Sequence, residues 1–503
     1  MSGKNQNSRI LFGLKVRHLR QKKQLSFAEL SKESGMSVSY LNEIEKGKKF
    51  PKQEKLKALA ASLGVAPDYL TSPDLPGGLA PVGELLKSNF LNELPLELFG
   101  IELGKVVEIV ASAPKRVGAF ISTLVELSRN YALREENFYF GALRSYLEMH
   151  YNYFPEIEEA VDRFKTQHQI NPNQAVEVDQ LRSLLEHSYG YQVRENGLER
   201  YPDLQNLRAV FLPETKQLLL NSELNDRQKA FQFGKELGFQ SLELEQRAVT
   251  SSLLQVASFE EVLSHAKATY FSAALLIDRD RFVQDIRSFF DQPTWDAESL
   301  MDILEKYQAS PEMFFQRLTN VLPAFLGIQK IFFLRFAHGT QEEVFKIDKE
   351  LHLDGKHHPQ SNGLYEHYCR RWLSLSLLKD LRQMQEQGKY VGTIVGAQRS
   401  KYIGSDDEYL VITIARPAYP TPDKNVSGTF GIKITDSVRK VIRFLDDPAL
   451  QRRAVNKTCE RCAVQDCAER SAPPRVLDNR QRKARFDDAL TQLLDQQAIK
   501  EEA

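Results

Sequence analysis

Between Leu25 and Lys52 the chain reads SFAELSKESGMSVSYLNEIEKGKKFP, and this stretch narrows the possible folds more than any other. Ser26 is a natural N-cap for a short helix beginning at Phe27. Gly35 supplies the backbone freedom that a tight turn between crossing helices needs. Ser37 then caps a second helix, which Gly47 ends from the C′ position. Ala28 reads as the small residue that lets the two helices approach. Upstream, Leu11, Leu14, Val16 and Leu19 recur at spacings that suit one buried helix face, and Leu56, Leu59 and Leu63 do the same downstream. A fifth helix opens within Val65–Leu70. The charge supports a polyanion partner for this region alone. Residues 1–57 hold 14 Lys/Arg against 5 Asp/Glu, in a chain of 503 residues whose net charge is zero.

This pattern resembles the Cro/C1-type (XRE) helix-turn-helix over residues 9–71, notably in S-x-S-Y-L-N-E-I-E-K-G-K-K-x-P. The resemblance implies a five-helix lambda-repressor-like domain whose Ser37–Lys46 helix enters the major groove of double-stranded operator DNA. It places Ser37, Val38, Ser39, Asn42 and Glu43 at base edges, and Arg17, Arg20, Lys46, Lys48 and Lys49 at phosphates. It also implies a homodimer on a palindromic site. A protein-binding, antitoxin-type module of the same shape is the competing reading.

Pro and Gly punctuate residues 72–78 as a linker. Residues 80–165 carry helical spacing and form a connector suited to dimer contact. The segment LRAVFLPETKQLLLN (207–221) reads as a hairpin with its turn near Pro213–Lys216. Residues 281–325 return to helix. Strands are expected in IQKIFFLRF, YVGTIVGAQ, YLVITIARP and GTFGIKIT, and a charged amphipathic helix fills 476–503, with Leu490, Leu493 and Leu494 on one face. No apolar run is long enough to span a membrane, and the N-terminus lacks a secretory h-region, so a cytoplasmic location is expected.

The segment RQKAFQFGKELGF (227–239) resembles the zinc-binding helix of the ImmA/IrrE metallopeptidase-like family, where H-E-x-x-H supplies two histidines and a general base. Here Lys235 and Phe239 stand at the histidine positions and only Glu236 survives. The acidic third-ligand position aligns with Lys267, just before YFSAALLI. Residues 166–280 are therefore expected to form a zincin-like α+β domain without metal ligands and without catalysis. An ImmA-like peptidase relying on His265 is the disfavoured alternative.

Four cysteines occur, all late: Cys369, Cys459, Cys462 and Cys467. A C-x2-C pair followed closely by a third cysteine points to metal binding, and Cys369 is the remaining donor. Arg461 and Arg470 nearby would favour thiolates. With P-E-M-F-F-Q-R-L-T-N (311–320), F-F-L-R-F (332–336), C-x-x-W (369–372) and C-x4-C-x2-R-x-A-P-P (462–474), the layout resembles the short-chain fatty acyl transcriptional regulators. That resemblance implies an α+β sensor domain over 281–475, an acyl-CoA effector and a 4Fe–4S cluster at the cysteines. A four-thiolate zinc site is the simpler alternative. One departure is Ile432, where the family pattern carries a further cysteine. Arg335 and Arg416, in or at the end of apolar strands, are candidates for an anionic effector, with internal salt bridges as the other reading. His357 and His358 read as loop residues. The whole chain is thus expected to be multidomain and mostly α, with α+β parts.

Overall fold

The structure, a computed structural model, describes residues 2–72, 135–250, 256, 258–339, 345–353, 366–389, 392–419 and 424–501. The linker, the first part of the connector, and His357 and His358 lie outside the described residues. The chain divides into two compact units, Met1–Tyr146 with Val256–Phe259, and Leu147–Gln255 with Glu260–Ala503.

The first unit contains the five expected helices: α1 (Ser2–Lys22), α2 (Phe27–Ser34), α3 (Val38–Glu45), α4 (Gln53–Leu63) and α5 (Pro67–Thr71). Phe12, Val16, Leu30, Leu41, Ile44 and Leu59 pack into one core. Each contributes roughly 1.5–3 kcal/mol through burial, and the 3.6-residue period puts them on facing stripes. The caps fall as the sequence implies. Ser26 accepts from Glu29 N while the Glu29 carboxylate accepts from Ser26 N, a reciprocal capping box. Gly35 takes φ +68°. Two features correct the sequence reading. Ala28 is exposed and mediates no close approach. The close approach is at Gly13 on α1, where a Cβ would lie 2.3 Å from the carbonyl oxygen of Ile44.

Helix α6 (Glu135–Met149) is followed in the second unit by α7 (Pro155–Gln167) and α8 (Val178–Ser183). Strands β1 (Gln192–Arg194), β2 (Ala209–Leu212) and β3 (Gln217–Leu220) form a small sheet in the order β1-β3-β2. The expected hairpin is β2–β3, with Leu212 opposite Gln217 and Lys216 at φ +50° in its turn. Next come α9 (Asp226–Ser241) and α10 (Phe259–Leu276). A Cβ on Gly234 would lie 2.6 Å from Ser272 Oγ, and one on Gly238 3.0 Å from Phe271 Cβ. Two glycines one turn apart thus let this helix pair meet closely. Helices α11 (Arg279–Phe290), α12 (Ala297–Lys306) and α13 (Pro311–Val321) complete the helical part. In its interior, fully buried Arg317 on α13 donates to both oxygens of Glu158 on α7, at 2.6 and 3.0 Å, and Tyr270 on α10 donates to the same carboxylate.

The rest of the second unit is built on a six-stranded sheet ordered β5-β4-β8-β7-β6-β9. Its strands are β4 (Ile331–Gly339), β5 (Phe345–His352), β6 (Ile394–Tyr402), β7 (Glu408–Pro417), β8 (Lys424–Lys433) and β9 (Gln451–Val455), with α14 (Leu373–Glu386) between β5 and β6. The four apolar segments supply β4, β6, β7 and β8. The two edge strands, β5 and β9, are polar, and only pairing with β4 and β6 makes them strands. Alternation along β4 sends Phe333 to the face where Phe315 of α13 packs. Phe332, Leu334 and Phe336 go to the face covered by Leu375, Leu378 and Leu381 of α14. Helix α15 (Asp436–Val441) precedes β9, and α16 (Arg475–Glu501) forms the tail. On α16, Leu490 is exposed, and the side chains of Leu493 and Leu494 lie outside the described residues.

Candidate nucleic-acid interface and sensor cavities

Helix α3 is held by its buried side, Leu41 and Ile44, and offers the opposite side outward. Ser37 accepts from Tyr40 N, fixing the helix start. Ser37, Val38 and Ser39 are exposed at that start, while Asn42 and Glu43 are half-buried further along. Lys46, Lys48 and Lys49 lie exposed just past its end. Lys49 pairs with Glu43 at 2.8 Å on the surface, a contact that water and salt weaken. Arg17 is half-buried on α1.

Arg20 is placed differently from the expectation of a phosphate contact. Its Nε and Nη2 donate to Glu45 at 2.6 and 3.0 Å, its Nη1 donates to Leu25 O, and its plane lies over Phe27. The guanidinium therefore ties α1 to the end of α3 and to the α1–α2 turn. Lys15, which the sequence reading counted only as part of the basic excess, is buried. It donates to Tyr69 O, Ser72 O and Ser72 Oγ at 2.6–2.8 Å, closing the C-terminal end of α5.

The structure brings Lys235, Glu236 and Phe239 together on the buried face of α9. Glu236 is engaged by Arg247, whose two terminal nitrogens donate at 2.7 and 2.8 Å, and it accepts from the Tyr191 hydroxyl at 3.2 Å. The Arg247 guanidinium lies 3.9 Å from the Phe239 ring centre and 4.1 Å from that of Phe211. The α10 residue that meets Phe239 is His265, edge-on at 5.1 Å, whereas Lys267 is half-buried two positions further on. Burial, then the charge of Lys235, pushes the His265 imidazole down to about 3, so it is neutral at pH 7. A clamped carboxylate, an ammonium and a phenyl ring now occupy positions where the peptidase resemblance would require metal ligands and a free base. Arg247 carried no local sequence signal.

Arg335 and Arg416 converge on one half-buried carboxylate. Arg416 Nη2 donates to both oxygens of Glu312 at 3.0 and 2.9 Å, and Arg335 Nε donates to Glu312 at 3.3 Å while Nη1 reaches Asp348. Burial opposes the charge on Glu312, but Arg416, Arg335 and Arg208 outweigh it and hold the carboxyl far below its usual range. The two arginines are thus internally paired, as the salt-bridge reading of them expects.

All four cysteines line one cavity, together with Arg370, Arg371 and Arg470. The cavity encloses about 320 Å³ of non-atom space, its mouth included. Cys369, Cys459 and Cys462 are buried and Cys467 half-buried. Asn456 N donates to Cys369 Sγ and Ser471 N to Cys459 Sγ, both at 3.5 Å. Arg470 donates to the carbonyls of Cys459 and Cys462, knitting the loop together, while Arg461 turns to Glu366 at 2.7 Å instead of the thiols. Among the described residues, no three His, Cys, Asp or Glu side chains are gathered tightly enough to hold a single ion. Ile432 sits in the sheet core and is not part of this cavity.

Comparison with known proteins places two matches on these regions. A helix-turn-helix family model matches residues 16–70, and an IrrE N-terminal-like domain model matches residues 194–319, past the boundary expected near 280. The HTH-type transcriptional regulator RamB of Mycobacterium tuberculosis, in two strains, is 22% identical over 510 residues, which cover 94% of this chain and 96% of that protein. A solved Mycobacterium tuberculosis transcriptional regulator superposes on 67% of this chain and 93% of its own length, at 18% identity and a TM-score of 0.48. No helix among the described residues is long and apolar enough to cross a membrane.

Proposed function

We infer that this chain, an XRE-type DNA-binding transcription regulator with an IrrE-like middle domain, reads an operator with α3 and answers to a signal received by its C-terminal half. The observation that carries the reading is the serine-capped start of α3. It is fixed from behind by Leu41 and Ile44, open in front at Ser37, Val38 and Ser39, and flanked by Lys46, Lys48 and Lys49. Short polar and methyl-bearing side chains suit base edges, and exposed ammonium groups suit phosphates. The protein acts in the cytoplasm as a homodimer on a two-fold operator, because one small domain makes few base contacts.

The middle domain serves as a non-catalytic scaffold. Support comes from Glu236, whose carboxylate is occupied by Arg247, and from Phe239, which has no donor atom, so the paired histidine ligands of a zincin have no counterpart here.

The signal is a short-chain acyl-CoA or a change of redox state. Convergence of four thiols on one cavity, with backbone N–H groups donating to two of them, fits a metal centre. Cys369, Cys459, Cys462 and Cys467 would hold it. The family resemblance favours a 4Fe–4S cluster, and the simplicity of a four-thiolate tetrahedron favours one zinc. Such a cluster would supply one-electron redox sensitivity.

The deciding experiment is binding of the full chain to its own promoter fragment across a salt series. Affinity is expected to fall steeply with salt, and Lys48→Gln to lower the log–log slope by about one. Arg20→Met is expected to weaken binding with its slope unchanged, because that arginine serves the fold. Salt-independent binding, or none to any chromosomal fragment, overturns the reading. Metal analysis and an optical spectrum of anaerobically purified protein decide between iron and zinc.

A further inference from the structure

The middle of helix α16 packs on nothing. The helix starts against the cysteine loop, where Val476 and Leu477 are half-buried and the turn Cys459–Arg461 lies alongside. From Asp478 to Gln492 every residue is exposed, about four turns of helix with no face turned to the fold. Phe486, 66% exposed, is the barest large apolar side chain among the described residues, and Leu490, one turn on, is 44% exposed. Leu493 and Leu494 continue the same three-to-four spacing in the sequence. Among the described residues no ion pair braces this stretch.

The charges of the helix are sorted by end. Residues 475–485 hold 5 Lys/Arg against 1 Asp, and residues 486–503 hold 5 Asp/Glu against 1 Lys, so the two halves carry +4 and −4. A helix dipole favours the reverse, anions at the N-terminus and cations at the C-terminus. Isolated helices are marginal in water even when their sequence suits them, and an open apolar stripe adds to the cost. One neighbour answers all three features: another copy of the same helix running the other way. It covers the stripe, sets basic residues beside acidic ones and opposes the two dipoles. A parallel copy would set like charges together, and a DNA duplex would suit only the basic half.

We propose that α16 pairs antiparallel with α16 of a second copy of this chain, covering Phe486 and Leu490 in the crossing and setting the basic half of each helix beside the acidic half of the other. The pair rests on the homodimer reading and gives that dimer a contact far along the sequence from residues 80–165, the connector expected to serve it. Arg470 donates to the carbonyls of Cys459, Cys462 and Ala472, so the pairing helix is fastened at its root to the loop that carries the thiols.

The test measures the mass of the full chain by sedimentation equilibrium over about a hundredfold range of concentration. Phe486→Glu with Leu490→Glu is expected to weaken association about a hundredfold or more. Both side chains are exposed, so thermal unfolding of the second unit should match the parent. Two charge variants give an independent reading. One carries Arg480→Glu, Arg482→Glu, Lys483→Glu and Arg485→Glu; the other carries Asp487→Lys, Asp488→Lys, Asp495→Lys and Glu501→Lys. Each alone should associate about tenfold more weakly than the parent, and their equimolar mixture should recover the parent's strength. Rising salt should weaken association of the parent. Association that strengthens with salt means that like halves meet, and overturns the antiparallel arrangement. A mixture that does not recover overturns the charge pairing. A charge variant that lowers the salt slope of promoter binding while every mass matches the parent assigns the basic half to DNA and overturns the proposal. A dimer that all three variants leave intact overturns the α16 pair alone, whereas a parent that stays a single chain throughout overturns the homodimer reading with it.

Discussion

Lys235→Met measures what it costs the fold to bury an ammonium where the peptidase resemblance would place a zinc ligand. Lys235 is 5% exposed, with Nζ 6.0 Å from the Phe239 ring centre. Burial is the largest influence and drives its pKa down from 10.5 to about 7; Glu236 opposes this, and Arg247, Lys349 and Arg208 add to it. The folded state therefore holds the proton less tightly than the unfolded chain. The penalty on folding is fully present below pH 7 and fades as pH rises towards 10.5. At about 1.4 kcal/mol per pH unit the depression corresponds to a ceiling of roughly 5 kcal/mol. Replacement of buried ions by apolar groups of similar size realises about 1–4 kcal/mol. The methionine variant is therefore expected to be the more stable protein at pH 7 by about 1–3 kcal/mol, with the gap narrowing by pH 10. Urea unfolding followed by tryptophan emission at pH 6, 7, 8.5 and 10 reads this directly, since Trp295 and Trp372 both belong to the second unit. A variant less stable than the parent at pH 7, or a gap that does not change with pH, refutes the argument.

Two further outcomes follow from particular contacts. Gly13→Ala forces a Cβ against backbone oxygens at 2.3 and 2.8 Å, so it should cost the first unit about 1–3 kcal/mol and displace α3. Calorimetry and promoter binding of the variant should both report the loss. Glu312→Gln leaves Arg335 and Arg416 without their shared anion and should cost about 3–5 kcal/mol. In the parent, the depressed carboxyl makes this contribution present above pH 4.5 and lost as pH falls below it. Acid unfolding curves of parent and variant should converge at low pH.

Much of the architecture was legible because its signals are local. Ser26, Gly35, Ser37 and Gly47 punctuate the helices where the chain actually turns, and branched or aromatic runs mark β4, β6, β7 and β8. What stayed hidden depends on partners far along the chain. β5 and β9 are strands because of the neighbours they pair with, not because of their own side chains. Arg20 looks like any basic surface residue until Glu45, 25 positions on, takes its charge. Arg335 and Arg416 looked available for a ligand, and Glu312 satisfies both. Ala28 fits a close crossing by size, yet the crossing belongs to Gly13, whose need is set by the backbone of another helix. The cysteines, read from the sequence as one set, line one cavity. Only the fold shows that Cys369, some 90 positions upstream of the others, opens onto the same space.

The Lys15 ammonium grips both the carbonyl and the hydroxyl of Ser72. Ser72 lies just past α5, so the end of that helix is fastened to α1. The fastening sits two positions from Gly13, where α1 rests against the C-terminal end of α3. One helix of the small domain thereby holds two others in place, and loosening either grip on α1 would be felt by both.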